Sequence, residues 1–130
     1  MSNTCNTCPP SQIPPWARPP VSPITHTLVE DGPISLNTNT TYLDSTTPKD
    51  EDDASVPYIA TLGAPLYPQQ RKTIMIPAST VATTALWKVT GPFVGFVSLL
   101  FNDIATVVEL VSSEDGYWCY LGGTALKQDS

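Results

Sequence analysis

The residues of this chain whose types could do chemistry are few and far apart. Cys5-Asn6-Thr7-Cys8 is a CxxC pair, Cys119 is the third cysteine, and His26 is the only histidine. A structural zinc site needs about four thiolate or imidazole ligands. Cys5, Cys8, Cys119 and His26 reach that number only by pinning the N-terminus back onto distant residues. A lone CxxC outside a βαβ unit is not a thioredoxin-type motif. We therefore expect no metal site. Cys5 and Cys8 read as thiols that stay free or oxidise to link neighbours, and Cys119 as a small buried apolar residue in mid-strand.

Any acid–base scheme using imidazole must pass through His26. It lies in Thr25-His26-Thr27, the setting of a hydrogen-bonded surface or interface histidine. No G-x-S-x-G elbow, metal-binding helix or phosphate-cradling loop occurs. The sequence assigns no catalytic residue and no cofactor, and points away from an enzyme. The acidic run Asp50-Glu51-Asp52-Asp53 lacks the alternating ligands and glycine of a calcium loop and reads as solvated surface. Asn39-Thr40-Thr41 fits the N-glycosylation pattern, but reads most simply as a threonine-rich strand or loop. Trp87, Trp118 and Tyr120 could stack on sugar rings, which keeps a carbohydrate- or receptor-binding module as the alternative function. Their mid-strand positions favour packing instead.

The elements that hold these residues are predicted to be strands. Residues 85–124 contain four β-rich runs, each ended by turn chemistry: Gly91-Pro92, Asn102-Asp103, Ser112 to Gly116 and Gly122-Gly123. This spacing predicts an antiparallel meander. Upstream, strands are expected at Thr25–Val29, Ile34–Leu36, Thr40–Leu43, Pro57–Leu62 and Arg71–Ile76, with a turn at Asp31-Gly32-Pro33 and a surface loop over Thr46–Ser55. No fixed-period repeat is visible, which argues against a solenoid. The expected fold is all-β: an antiparallel β-sandwich, jelly-roll-like, of about eight strands over residues 24–130.

Val108 and Leu110 share one strand face, while Val107 and Val111 make the other face apolar too. An antiparallel sheet with one wet face alternates cleanly. The second face is therefore expected to be covered, by a second sheet or another copy of the chain. Trp87, Phe96, Leu100, Val108, Leu110, Trp118 and Tyr120 are the candidates for core or oligomer interface.

Residues 1–23 form a separate regime holding seven of the 14 prolines. Such a segment reads as extended or polyproline-like. Ile13, Pro14, Pro15, Trp16, Pro19, Pro20 and Val21 are the expected contacts of an anchoring arm. The six basic residues are scattered against twelve acidic ones, for a net charge of −6, so no basic stripe exists for nucleic acid. The N-terminus lacks the basic and apolar regions of a signal peptide. The longest apolar run, Phe93–Phe101, is about half a membrane span. Synthesis in a cytoplasm and no membrane partner are the expectations.

The order of these runs supplies a resemblance. Ala60-Thr61-Leu62, a connecting loop, Arg71-Lys72-Thr73-Ile74, Asn102-Asp103, Ala105 to Val111, then Glu114-Asp115-Gly116 delivering Trp118 before a glycine ending, resembles the β-domains of virion appendages. These are the fibre, spike and capsid decoration proteins of phages and large DNA viruses. The likeness covers about residues 57–124. It implies a structural or host-attachment role on a virion, as a homotrimer or other homo-oligomer whose arm engages a capsid or other virion protein. The lack of shaft repeats and the proline-rich arm fit a small capsid-bound protein better than a long fibre.

Overall fold

The computed structural model describes residues 25–45, 47–53, 55–77, 86–102 and 105–129. The arm with Ile13, Pro14, Pro15, Trp16, Pro19, Pro20 and Val21, and the Cys5/Cys8 pair, lie outside the described residues. Among those described there is no helix. Ten strands are present: β1 His26–Leu28, β2 Gly32–Pro33, β3 Thr40–Leu43, β4 Tyr58–Thr61, β5 Arg71–Met75, β6 Trp87–Thr90, β7 Ser98–Phe101, β8 Val107–Ser112, β9 Trp118–Gly123 and β10 Leu126–Gln128.

They form two mixed sheets of five, in the orders β1-β3-β5-β8-β9 and β10-β7-β6-β4-β2. From β1 to β6 the chain alternates between sheets and returns each time parallel to the strand before last. The course is that of three two-strand coils. The expected antiparallel, jelly-roll-like order is therefore corrected: the N-terminal half of each sheet is parallel. The absence of a fixed period in the sequence has a physical reason. In the first sheet the coil offset grows from 15 residues (His26 to Thr41) to 33 (Thr41 to Ile74). Coils that return through loops of such different length leave no period to detect.

The C-terminal half is antiparallel but is not one meander. β6 and β7 form a hairpin in the second sheet, and β8 and β9 form one in the first. Between the two hairpins the chain changes sheet, from β7 in the second to β8 in the first. Ile76 clamps that crossing, accepting from Ala105 N–H and donating its N–H to the Thr106 carbonyl. Ala105 takes the left-handed conformation there, at φ 63°.

Gly32-Pro33, expected as a turn, is instead the edge strand of the second sheet. Proline is tolerated at an edge because its missing N–H breaks no ladder. The expected strand at Ile34–Leu36 is not formed. Ile34 N–H carries the β2–β4 pairing one step further to the Thr61 carbonyl, and its side chain enters the core. Gly122-Gly123 ends β9 inside the sheet, where a Cβ on Gly123 would collide with the Val107 carbonyl oxygen. β10 adds a tenth strand at the end of the chain.

One core joins the two layers in a sandwich-like arrangement. Leu43, Ile74, Val108, Leu110 and Trp118 enter it from the first sheet, and Ala60, Trp87, Val89, Leu99 and Phe101 from the second. Burial of this apolar surface is the main stabilising term, at about 25 cal/mol per Å² removed from water. The Trp118 indole N–H donates to the Gly63 carbonyl at 2.9 Å. Trp87, equally buried, stacks on Tyr58 at 4.9 Å, but its indole N–H has no partner.

Candidate functional site

β5 alternates Lys72, Ile74 inward against Arg71, Thr73 and Met75 outward. Lys72 is thus forced into the interior, where it is 1 % exposed. Its ammonium donates to the Ser35 carbonyl at 2.8 Å, the Thr38 carbonyl at 3.0 Å and Thr38 Oγ1 at 3.0 Å. All three protons are used, and the loop between β2 and β3 is tied to β5. Burial lowers the Lys72 pKa to about 8. His26 Nδ1 accepts from the Ser35 N–H at 3.3 Å and lies 3.4 Å from Thr41 Oγ1. Desolvation, and then the nearby Lys72 charge, lower its pKa, so its imidazole is neutral at pH 7. Gln70 continues this polar seam: its side chain donates to the Leu36 carbonyl and accepts from the Leu66 N–H. The seam's hydrogen bonds tie loops to strands, and among the described residues the partners of His26 Nδ1 are Ser35 and Thr41 rather than a carboxylate.

An open cleft of about 730 Å³ lies beside β4, lined by Glu30, Asp31, Asp44, Ser45, Lys49 and Tyr58. Asp31 pairs with Lys49 at 2.6 Å and accepts from the Ile59 N–H. These bonds hold its carboxyl below the usual range, the Lys49 bond most strongly. The acidic tip is self-satisfied, with Asp50 and Asp53 accepting from the N–H groups of Asp52 and Ser55. Among the described residues no group of three or more metal-ligating side chains comes together, and no helix is long and apolar enough to cross a membrane.

At the other end of the first sheet, the loop 91–97 reaches over and bonds to the edge of β9. The Trp118 N–H donates to the Pro92 carbonyl and the Val94 N–H donates to the Trp118 carbonyl. The pairing ends after this single parallel bridge, Phe93 with Trp118. Beyond it Phe93 stacks on Phe96 at 4.6 Å, Phe96 meets Tyr120 edge-on at 6.2 Å, and Lys127 sits 5.0 Å over the Tyr120 ring. A groove of about 420 Å³ follows, lined by Val94, Phe96, Cys119, Tyr120, Lys127 and Asp129.

The sequence-selected residues thus divide. Trp87, Val108, Leu110 and Trp118 are fully buried in the core, and Phe96 and Tyr120 pack against it half-buried. Cys119, expected to be buried, is half-exposed, because it is Trp118 that takes the inward position on β9. Leu100 faces outward. It belongs to a cross-strand row on the second sheet, Ile59–Lys88–Leu100–Leu126, in which Lys88 stands between the apolar Ile59 and Leu100. Leu126, at the end of this row, is 50 % exposed. Ile59 and Leu126 were missed by sequence reasoning. The signal for Ile59 was present, since Ile59 and Ala60 alternate and only one of them can face inward.

No family model matches the chain, and neither a curated protein nor a solved structure matches it.

Proposed function

We propose that this is a non-enzymatic structural protein of a virus particle, a capsid decoration or small spike protein. In this reading residues 1–23 anchor it to a capsid or other virion protein, and the β-sandwich self-associates as a closed oligomer, with a trimer favoured. One observation carries the reading: the cross-strand row Ile59–Lys88–Leu100–Leu126 on the outer face of the second sheet, apolar at three of its four positions and open at Leu126. A largely apolar row on the outer face of an acidic domain suits a surface that meets another copy. The resemblance of residues 57–124 to appendage domains supplies the virion setting.

The carbohydrate-binding alternative was built on Trp87, Trp118 and Tyr120. With both tryptophans fully buried, it retains only Tyr120, and the structural reading is preferred. Solution mass by light scattering tests it, on the full chain and on one lacking residues 1–23. A closed oligomer is expected in both, reduced to monomer by Leu100→Lys. A wild-type monomer in both would overturn the self-association.

A further inference from the structure

The groove beside β9 has the character of a seat for a proline-rich segment. Such segments, in their left-handed extended helix, are recognised in grooves lined with aromatic side chains. Here Phe96 and Tyr120 stand edge-on to one another at 6.2 Å, with Val94 and Cys119 beside them. Lys127 is engaged with the Tyr120 ring. Asp129, by contrast, has no ion-pair partner among the described residues, where Lys49–Asp31 is the one salt bridge.

The chain itself carries a segment of matching chemistry, Pro14-Pro15-Trp16-Ala17-Arg18-Pro19-Pro20. Arg18 is the only charged side chain among residues 1–24, while the remainder holds five basic and twelve acidic side chains. Segment and domain are therefore of opposite charge. The reach also closes. β1 and β9 are the two edges of the first sheet, four strand spacings apart, or about 19 Å. Arg18 precedes Thr25 by seven residues, which span about 22 Å in the polyproline conformation. Thr25 lies next to Thr40, by the register that pairs His26 with Thr41. From Thr40 the cross-strand row runs through Thr73 and Glu109 to Gly122, beside Tyr120.

We propose that the Pro14–Pro20 segment docks in cis into the groove along β9, with Trp16 against Phe96 and Tyr120 and Arg18 toward Asp129. The docked arm is a stowed arm: a partner that captures it must first draw it out of this groove. The proposal needs only the groove and the segment, so it stands or falls separately from the virion reading.

Cys119 lines the groove and makes the test direct. In the full chain carrying Cys5→Ser and Cys8→Ser, Ala17→Cys places a thiol beside the docking tryptophan. Mild oxidation should then form a disulfide with Cys119 within one chain. It should form about tenfold faster than with Asn3→Cys in the same background, because docking raises the effective concentration at one site only. Adding Trp16→Ser, which touches none of the described core, should remove that advantage. Equal rates for the two positions would overturn the proposal, as would a disulfide found only between chains.

Discussion

Lys72 makes the stability of this domain depend on pH in an unusual direction. Its folded pKa is about 8, against the ordinary lysine value of 10.5. Between those values the unfolded chain binds the proton that the folded protein has released, so stability rises with pH. Below pH 8 both states are charged and the folded state bears the full desolvation penalty. Each pKa unit corresponds to about 1.4 kcal/mol, so unfolding free energy should rise by roughly 1 kcal/mol from pH 7 to 9 and by 2–3 kcal/mol by pH 10. The quantity to measure is the difference between wild type and Lys72→Met, which isolates the contribution of this one ammonium. Urea unfolding at pH 7, 8, 9 and 10 gives both curves. Wild type should gain on the variant as pH rises. His26, whose pKa is lowered by desolvation and then by the Lys72 charge, adds slope of the same sign only toward the acid end of this range. Parallel curves for the two proteins would refute the reasoning, and would mean that the three hydrogen bonds to Ser35 and Thr38 offset the desolvation of the ammonium.

Further outcomes follow from single contacts. Gly123→Ala should lose about 3 kcal/mol or fail to fold, as read by thermal unfolding, because φ is +132° and the new Cβ meets the Val107 and Val108 backbone. Trp118→Phe should destabilise more than Trp87→Phe, by about 1 kcal/mol in urea unfolding. The first strands the Gly63 carbonyl, while the second removes an indole N–H that had no partner. Leu126→Lys, like Leu100→Lys, should lower the solution mass without changing stability by more than about 1 kcal/mol, since Leu126 contributes nothing to the core.

Much of the layer structure was legible in the sequence. From Tyr58 onward each strand except β10 overlaps a predicted β-branched or aromatic run, because burial on at least one face demands those residues, although Ser112 and Gly122-Gly123, read as turns, continue β8 and β9. β10 escaped because Lys127 and Gln128 dilute its only apolar residue, Leu126. What could not be read was pairing. Strand alternation says which side chains share a face, but not whether the neighbour across the ladder is the next strand or one reached through the opposite sheet. Gly32-Pro33 was misjudged for a related reason: its chemistry suits both a turn and a sheet edge, and only the position of Thr61 beside it decides. For Lys72 the signal existed. Lys72, Ile74 and Ile76 alternate on one face, and that periodicity puts the lysine inside despite its charge.

The alternating course of β1 to β6 also sets the order in which the molecule assembles. The β6–β7 and β8–β9 hairpins close over the short loops 91–97 and 113–117, so their ends meet at small entropic loss. The parallel ladders must instead bring together residues 15 to 33 apart, each with a strand of the other layer threaded between. Topologies dominated by such distant pairings fold slowly. The C-terminal hairpins are therefore the natural nucleus, onto which β5, β4 and β3 add in turn. Destabilising β1 or β2 should speed unfolding while leaving the refolding rate almost untouched.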